Sequence, residues 1–281
     1  MWDGRKLALV AMVFIALCNK VTAETREELD IAPDAVDDLY DGCNKEALDT
    51  FIHSGVLKAE LNSSDGFQKV WNPSECSKVI PGGLKEHTAA LRAYANEDYN
   101  FIKTFDDAVQ TKGTNVSTYQ DEFHFKSLHF LLMDSMRLLS QKTCKTVYDF
   151  AGNIKTAQKG STVRFGRFNS VHSSFQSLTD EADIDGDEAI LNITSCFFVE
   201  LGENICSTVE MALLSPVEEF TVEDVKQQTK DDTTFTMIVL KHFRVHNMHN
   251  CYIFSRSPAD ASSLWFMMAL LVLSSFFLVE N

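Results

Sequence analysis

Basic residues are in short supply. The chain has 25 Lys and Arg against 40 Asp and Glu, a formal net charge of −15. Nucleic-acid phosphates demand a positive footprint, so nucleic acid is not expected as a partner. The same imbalance argues against an acidic membrane surface and suits a soluble secreted domain. No Cys-x-x-Cys occurs, so the usual sequence sign of a zinc or redox centre is missing and no metal is expected. No internal repeat or low-complexity stretch stands out. With 281 residues, 45% of them apolar, one domain with a substantial core is expected.

The two ends read as processing signals. Arg5 and Lys6 precede an apolar run from Leu7 to Leu17, and Val21-Thr22-Ala23 offers a small-residue cleavage site. Residues 1–23 are therefore expected to be a signal peptide, with Glu24 the first mature residue. Its removal takes away Cys18. Cys43, Cys76, Cys144, Cys196, Cys206 and Cys251 remain, an even set suited to disulfides in an oxidising compartment. At the other end, Leu264 to Val279 is apolar apart from Ser274 and Ser275, and no Lys or Arg follows it. A stop-transfer helix wants about 20 apolar residues and a basic cytoplasmic flank. The short tail, behind a polar stretch from Ser255 to Ser263, fits a GPI-attachment signal over 256–281. Ser255 or Ser257 marks the attachment region, and a single-pass anchor is the alternative. The mature domain spans 24–255.

Between these ends the pattern changes once. Apolar spacing predicts helices over Ala47–Leu61, Pro73–Val79, Leu84–Tyr94, Phe101–Val109 and Phe123–Leu139. Thr118 and Asp121 have the spacing of a capping box, and Asn62-Ser63-Ser64-Asp65-Gly66 reads as a turn. From Cys144 to Phe254 the period turns toward strands. Helices first and strands afterwards give an α+β domain. Asn62, Asn115 and Asn192 each begin a glycosylation sequon.

Three strand-like pieces lie between Arg164 and Val222: Arg164-Phe165-Gly166-Arg167-Phe168-Asn169-Ser170, then Ile193-Thr194-Ser195-Cys196, then Leu213 to Val222. The helical half carries Tyr40-Asp41-Gly42-Cys43 and Phe123-His124-Phe125-Lys126-Ser127-Leu128-His129-Phe130. Together these resemble the vertebrate ecto-ADP-ribosyltransferases, arginine-specific enzymes that take ADP-ribose from NAD. The resemblance covers nearly the whole mature chain. It implies an N-terminal helical lobe followed by a β-rich NAD-binding core with a central cleft. It also implies NAD as co-substrate, arginine-bearing surface proteins as acceptors, and a place on the outer face of the plasma membrane. By the same resemblance Cys43 pairs with Cys251, and Cys144 with Cys196. The pairing of Cys76 and Cys206 is left open.

The family's chemistry needs an arginine on the NAD pyrophosphate, a serine at the nicotinamide ribose and a glutamate facing the oxocarbenium-like sugar. A second glutamate, two residues earlier, directs the acceptor. The serine corresponds to Ser170, and His172 follows where the family has a small hydroxyl residue. The arginine position reads Asp149, and a carboxylate repels phosphate. Arg164 and Arg167 are near in sequence, but neither is expected to take over. Aligning Leu213-Leu214-Ser215-Pro216 with the family's Leu-Ile-Pro-Pro puts Met211 at the catalytic glutamate and Val209 at the acceptor-directing one. Glu210, one residue off, should point to the other face of the strand unless a bulge turns it back. The adjacent pair Glu218-Glu219 is the competing alignment. Asp149 and Met211 thus favour a catalytically silent module with an unknown protein partner over an active transferase. Finally, Glu181 to Asp187 imitates a calcium loop, but Asn192 stands where the bidentate glutamate is needed, so a solvated acidic turn is expected.

Overall fold

Aromatic side chains build the first half of the molecule. The computed structural model describes residues 29–255 apart from 73–74, 96–97, 142, 153–156 and 185–188. Its helices are α1 Asn44–Leu48, α2 Val56–Ser63, α3 Asp65–Val70, α4 Lys85–Tyr94, α5 Tyr99–Thr111, α6 Val116–Glu122 and α7 Lys126–Leu139. Phe51, Phe67, Phe105, Phe123 and Phe130 are fully buried between them. Edge and stacked ring contacts order this core: Tyr40 meets Phe130 at 5.0 Å and Phe105 stacks on Phe168 at 5.8 Å. On α7, His129 is buried between the Tyr40 hydroxyl (2.9 Å) and the Val36 carbonyl (2.9 Å). Burial pushes its pKa down to about 4. The neutral ring therefore donates to Val36 through Nε2–H and accepts from Tyr40 at Nδ1.

Helix boundaries differ from the apolar spacing for local reasons. The run predicted over 47–61 breaks at Gly55, whose φ of +93° is left-handed. The predicted turn at 62–66 instead starts α3, because the Ser64 side chain accepts from Phe67 N. Glu75 to Val79 is not helical, and Pro73 lies outside the described residues. Cys76 there is tied to Cys206, which holds the segment against a distant loop. The cap of α6 is Asn115, whose side chain accepts from Thr118 N at 2.9 Å, so Thr118 and Asp121 lie inside the helix. Similarly, α7 begins at Lys126 rather than Phe123. The Glu60 carboxylate accepts from Lys126 N (2.8 Å) and Ser127 N (3.0 Å), satisfying the first amides of the helix.

The second half is one sheet. Its strands are β1 Lys145–Phe150, β2 Thr162–Arg164, β3 Asn169–His172, β4 Ala189–Ser195, β5 Phe198–Glu200, β6 Met211–Leu214, β7 Glu218–Lys230 and β8 Thr233–Val245. They lie in the order β2-β7-β8-β4-β1-β3-β6-β5, antiparallel except where β4 runs parallel to β8. Asp231 and Asp232, both with positive φ, make the tight β7–β8 turn. Helix α8, Phe175–Glu181, lies between β3 and β4 and is capped by Ser174. The expected α+β architecture, helices followed by a β-rich core, is what the chain adopts.

The joint between the halves is Arg164 to Phe168. Gly166 has φ +64°, and a Cβ there would stand 2.3 Å from the Ala32 Cβ. Glycine is needed for both reasons. This turn sends Phe165 into the sheet core and Phe168 into the helical core. Three disulfides brace the fold: Cys43–Cys251, Cys144–Cys196 and Cys76–Cys206. The first two match the pairing implied by resemblance, and the third settles the pair left open. The expected signal peptide and the tail from 256 onward lie outside the described residues. Among the described residues, no helix is long and apolar enough to cross a membrane.

Candidate functional site: a cleft between the helical lobe and the sheet

β1 meets β3 at a single pair, Tyr148 with His172. Beside that contact lies a cleft of about 700 Å³, with Asp149 and Ser170 on its wall. β6 supplies the third side. Val209 and Met211 line the cleft and Glu210 between them does not, although Val209 and Glu210 are both exposed. Val209 and Glu210 precede β6, and the alternation is that of a chain continuing the line of the strand. It is fixed where the Glu210 carbonyl accepts from Ser173 N and the Met211 carbonyl from Leu201 N. Ser170, Met211 and Asp149 thus share one cavity, and Glu210 does not.

The pair Glu218-Glu219 is committed elsewhere. Glu218 is fully buried and accepts from the Ser195 hydroxyl, Cys196 N (2.7 Å), Phe197 N and His242 Nδ1 (2.7 Å). Burial pushes its carboxyl up against the lowering effect of those partners. Glu219 takes Arg244 (2.7 Å) and His246 (2.9 Å), and those partners outweigh burial to hold its carboxyl low. Both act as braces of β7. Glu218 and His242 also lie near Cys196, the one grouping of three metal-type donors among the described residues. Cys196 is bonded to Cys144, so its sulfur offers no thiolate to a metal.

The two nearby arginines have different fates. Arg164 is buried. It donates to Asp37 at 2.6 Å and to the carbonyls of Ile31 and Ala32. Asp37 also accepts from Met248 N and His249 N. Arg164 therefore ties β2 to the segment before α1 and, through Asp37, to the segment after β8. Arg167 faces the cleft, with 42% of its side chain exposed and Nη1 3.7 Å from Asp106 Oδ2. Among the described residues it is the only cationic side chain on this wall.

The cleft carboxyls are unusual. Burial pushes Asp149 up to about 7, against the lowering effect of Arg167. Asp106, from α5, is likewise pushed up to about 7 by burial, with Arg167 and Tyr94 opposing. Tyr94 has one proton to give. Its hydroxyl lies 2.7 Å from the Phe168 carbonyl and 3.2 Å from each Asp106 oxygen. When it donates to Phe168, Asp106 completes the network by bringing its own proton. Sequence reasoning missed Asp106, because an acidic residue on an amphipathic helix reads as solvent-facing. It also passed over Arg167, whose direction is set only by the Gly166 turn.

His172 is nearly buried on β3, with Nε2 3.6 Å from Glu181. Glu181 ends α8 and lines the cleft. Asp185 to Asp187 of the expected acidic turn lie outside the described residues. Asn62 and Asn115 are exposed, and Asn192 is half-buried on β4.

The profile of the NAD:arginine ADP-ribosyltransferase family matches residues 29–241, and the chain belongs to that family. Among curated relatives, the GPI-linked NAD(P)(+)–arginine ADP-ribosyltransferase 1 of Mus musculus is 29% identical. That match covers 84% of this chain and 76% of the relative. Ecto-ADP-ribosyltransferase 4 of Mus musculus is 22% identical over 89% of this chain and 85% of its own length. The crystal structure of the eucaryotic mono-ADP-ribosyltransferase ART2.2 superposes with TM-score 0.63 at 25% identity, covering 81% of this chain and 99% of that one. A variant of the same enzyme in complex with NAD superposes with TM-score 0.58 at 26% identity, with the same coverage.

Proposed function

We propose that this chain is a cell-surface member of the family whose cleft keeps the family frame without its transfer chemistry. The observation that carries this is Met211 on the cleft wall with Glu210 off it, since the motif alignment assigns Met211 to the place of the catalytic glutamate. A thioether offers no charge to an oxocarbenium-like sugar. Losing that stabilisation costs about 10²–10³ in rate, by analogy with removing an oxyanion donor. Asp149, in the place of the phosphate-binding arginine, adds to the loss. Ser170 keeps the position of the ribose-binding serine.

On this reading the domain spans 24–255 and displays its surface to a protein partner. NAD is the small molecule its cleft descends from. Glycans at Asn62 and Asn115 suit their exposure; Asn192 is less open. The relative named GPI-linked supports a lipid anchor after removal of 256–281. A phosphatidylinositol-specific phospholipase should release the protein from intact cells. Retention together with the Leu264–Val279 peptide would show a spanning helix instead. The chemistry is tested by incubating the purified secreted domain with labelled NAD and an arginine-rich acceptor. Label should stay off the acceptor, and nicotinamide release should match the buffer blank. Sustained transfer would overturn the proposal, and its loss in Glu210→Gln would identify Glu210 as the working carboxylate.

A further inference from the structure

A second cavity of about 650 Å³ adjoins the cleft and shares Tyr99, Ile102, Asp106 and Arg167 with it. Arg167 therefore stands on the partition between two chambers. The other cations of the second chamber are engaged: Arg164 with Asp37 at 2.6 Å, and Lys103 with Asp107 at 2.6 Å. Among the described residues, the ion-pair approach of Arg167 is the long 3.7 Å one to Asp106. A ligand that fits this plan carries its negative charge in the middle and a bulky half on either side. A nucleoside diphosphate extended by a second sugar has that shape.

We propose that Arg167, displayed by the Gly166 turn, is the group that grips the pyrophosphate of an ADP-ribose-type ligand across the two chambers, in place of the arginine that β1 lacks. This rests on the reading of the cleft as a retained, non-transferring frame. A guanidinium offers paired N–H donors to phosphate oxygens, so the role needs no residue from β1. The groups facing Arg167 then set when it is free. Asp106, with Asp107 and Lys103 behind it, and Tyr94 and Tyr99 face it from the helical lobe. Asp149 comes from β1, Glu181 from the end of α8, and Asp30 and Arg164 line the second chamber. Asp106 and Asp149 both titrate at about 7. Above that pH their carboxylates compete with phosphate for the guanidinium. Below it they are neutral, and an incoming pyrophosphate meets an uncontested cation. Because the bound state holds more protons than the free one, affinity rises as pH falls.

The test is calorimetric titration of the purified secreted protein with ADP-ribose at pH 6 and pH 8. ADP-ribose has no nicotinamide bond, so its binding is independent of any turnover. Binding should be tighter at pH 6 by about 10-fold if one carboxyl is coupled, and by up to about 100-fold if both are. Arg167→Ala should weaken it roughly 10- to 100-fold at pH 6, with Arg167→Lys recovering part of the loss. Asp149→Asn should tighten binding at pH 8 and flatten the pH dependence, which a merely structural role for Arg167 would not produce. No binding by folded wild-type protein at pH 6 would overturn the proposal, as would wild-type affinity retained in both Arg167→Ala and Arg167→Gln. NAD turnover followed on the same samples separates the two ideas. Turnover by the wild type sinks the silent reading and leaves Arg167 standing, whereas absent turnover with absent ADP-ribose binding sinks Arg167 alone.

Discussion

Arg164→Ala should damage stability rather than ligand binding. The guanidinium is 2% exposed and its partner Asp37 is fully buried. Burial pushes the Asp37 carboxyl up, but hydrogen bonds from His249 and Arg164 outweigh it and hold the group below its usual value. Removing Arg164 takes a charged partner from a buried carboxylate and one donor each from the carbonyls of Ile31 and Ala32, the latter keeping Ala35 N. Breaking a buried pair from one side costs about 3–5 kcal/mol. Met248 N and His249 N still serve Asp37, which favours the lower end. The sign with pH follows from the lowered carboxyl. In the wild type, Asp37 contributes stability above its unfolded pKa, and that contribution is lost as pH falls through the folded one. In Arg164→Ala the folded pKa rises, so the loss should begin at higher pH. Urea unfolding with disulfides intact measures this as a fall in midpoint at nearly constant slope. A cost below about 1 kcal/mol, together with lost ADP-ribose binding, would refute the structural role and move Arg164 into the site.

Replacing Cys144 with Ala should cost about 2–5 kcal/mol and reduce secretion, read as the fraction of protein reaching the medium; unchanged yield and midpoint would show that the Cys144–Cys196 bridge is dispensable. The domain should melt at a higher temperature at pH 6 than at pH 8. Burial pushes Glu60, Asp106 and Asp149 each up to about 7, so the folded state keeps protons that the unfolded chain has already released, and stability falls as pH rises through that window. Calorimetric scans at the two values check this, and Glu60→Gln should remove part of the difference.

Much of the fold was legible because it rests on local pattern. The apolar stripe of α7 and the strand periods after Cys144 are properties of short windows, and so is the alternation that sets Val209 and Met211 against Glu210. What escaped depends on partners far away in sequence. Nothing near Lys126 announces that Glu60 caps its helix across 66 residues. The spacing around Cys76 suggested a helix because its bond to Cys206, 130 residues on, is invisible in a window. The site shows the same division. Alignment to a motif singles out Asp149, Ser170 and Met211, which share the cleft, whereas Asp106 comes to it from α5 in the other half of the molecule. Arg164 and Arg167 differ by three positions, and only the turn at Gly166 sends one into a buried clasp and the other into the cleft.

On the proposed reading, Asp149 and Met211 separate this frame from a working transferase. Nicotinamide release from NAD by Asp149→Arg/Met211→Glu, compared with the wild type and both single variants, tests it most directly. The double variant should gain NAD hydrolysis well above the wild-type background, with the single variants gaining much less, since residues acting as a unit are not additive. Transfer to arginine should further require Val209→Glu, which places a second carboxylate on the same face of the strand. A folded double variant no more active than the wild type would contradict the account, as would a wild type that already turns over NAD and loses that activity only when Glu218 or Glu219 is changed to Gln.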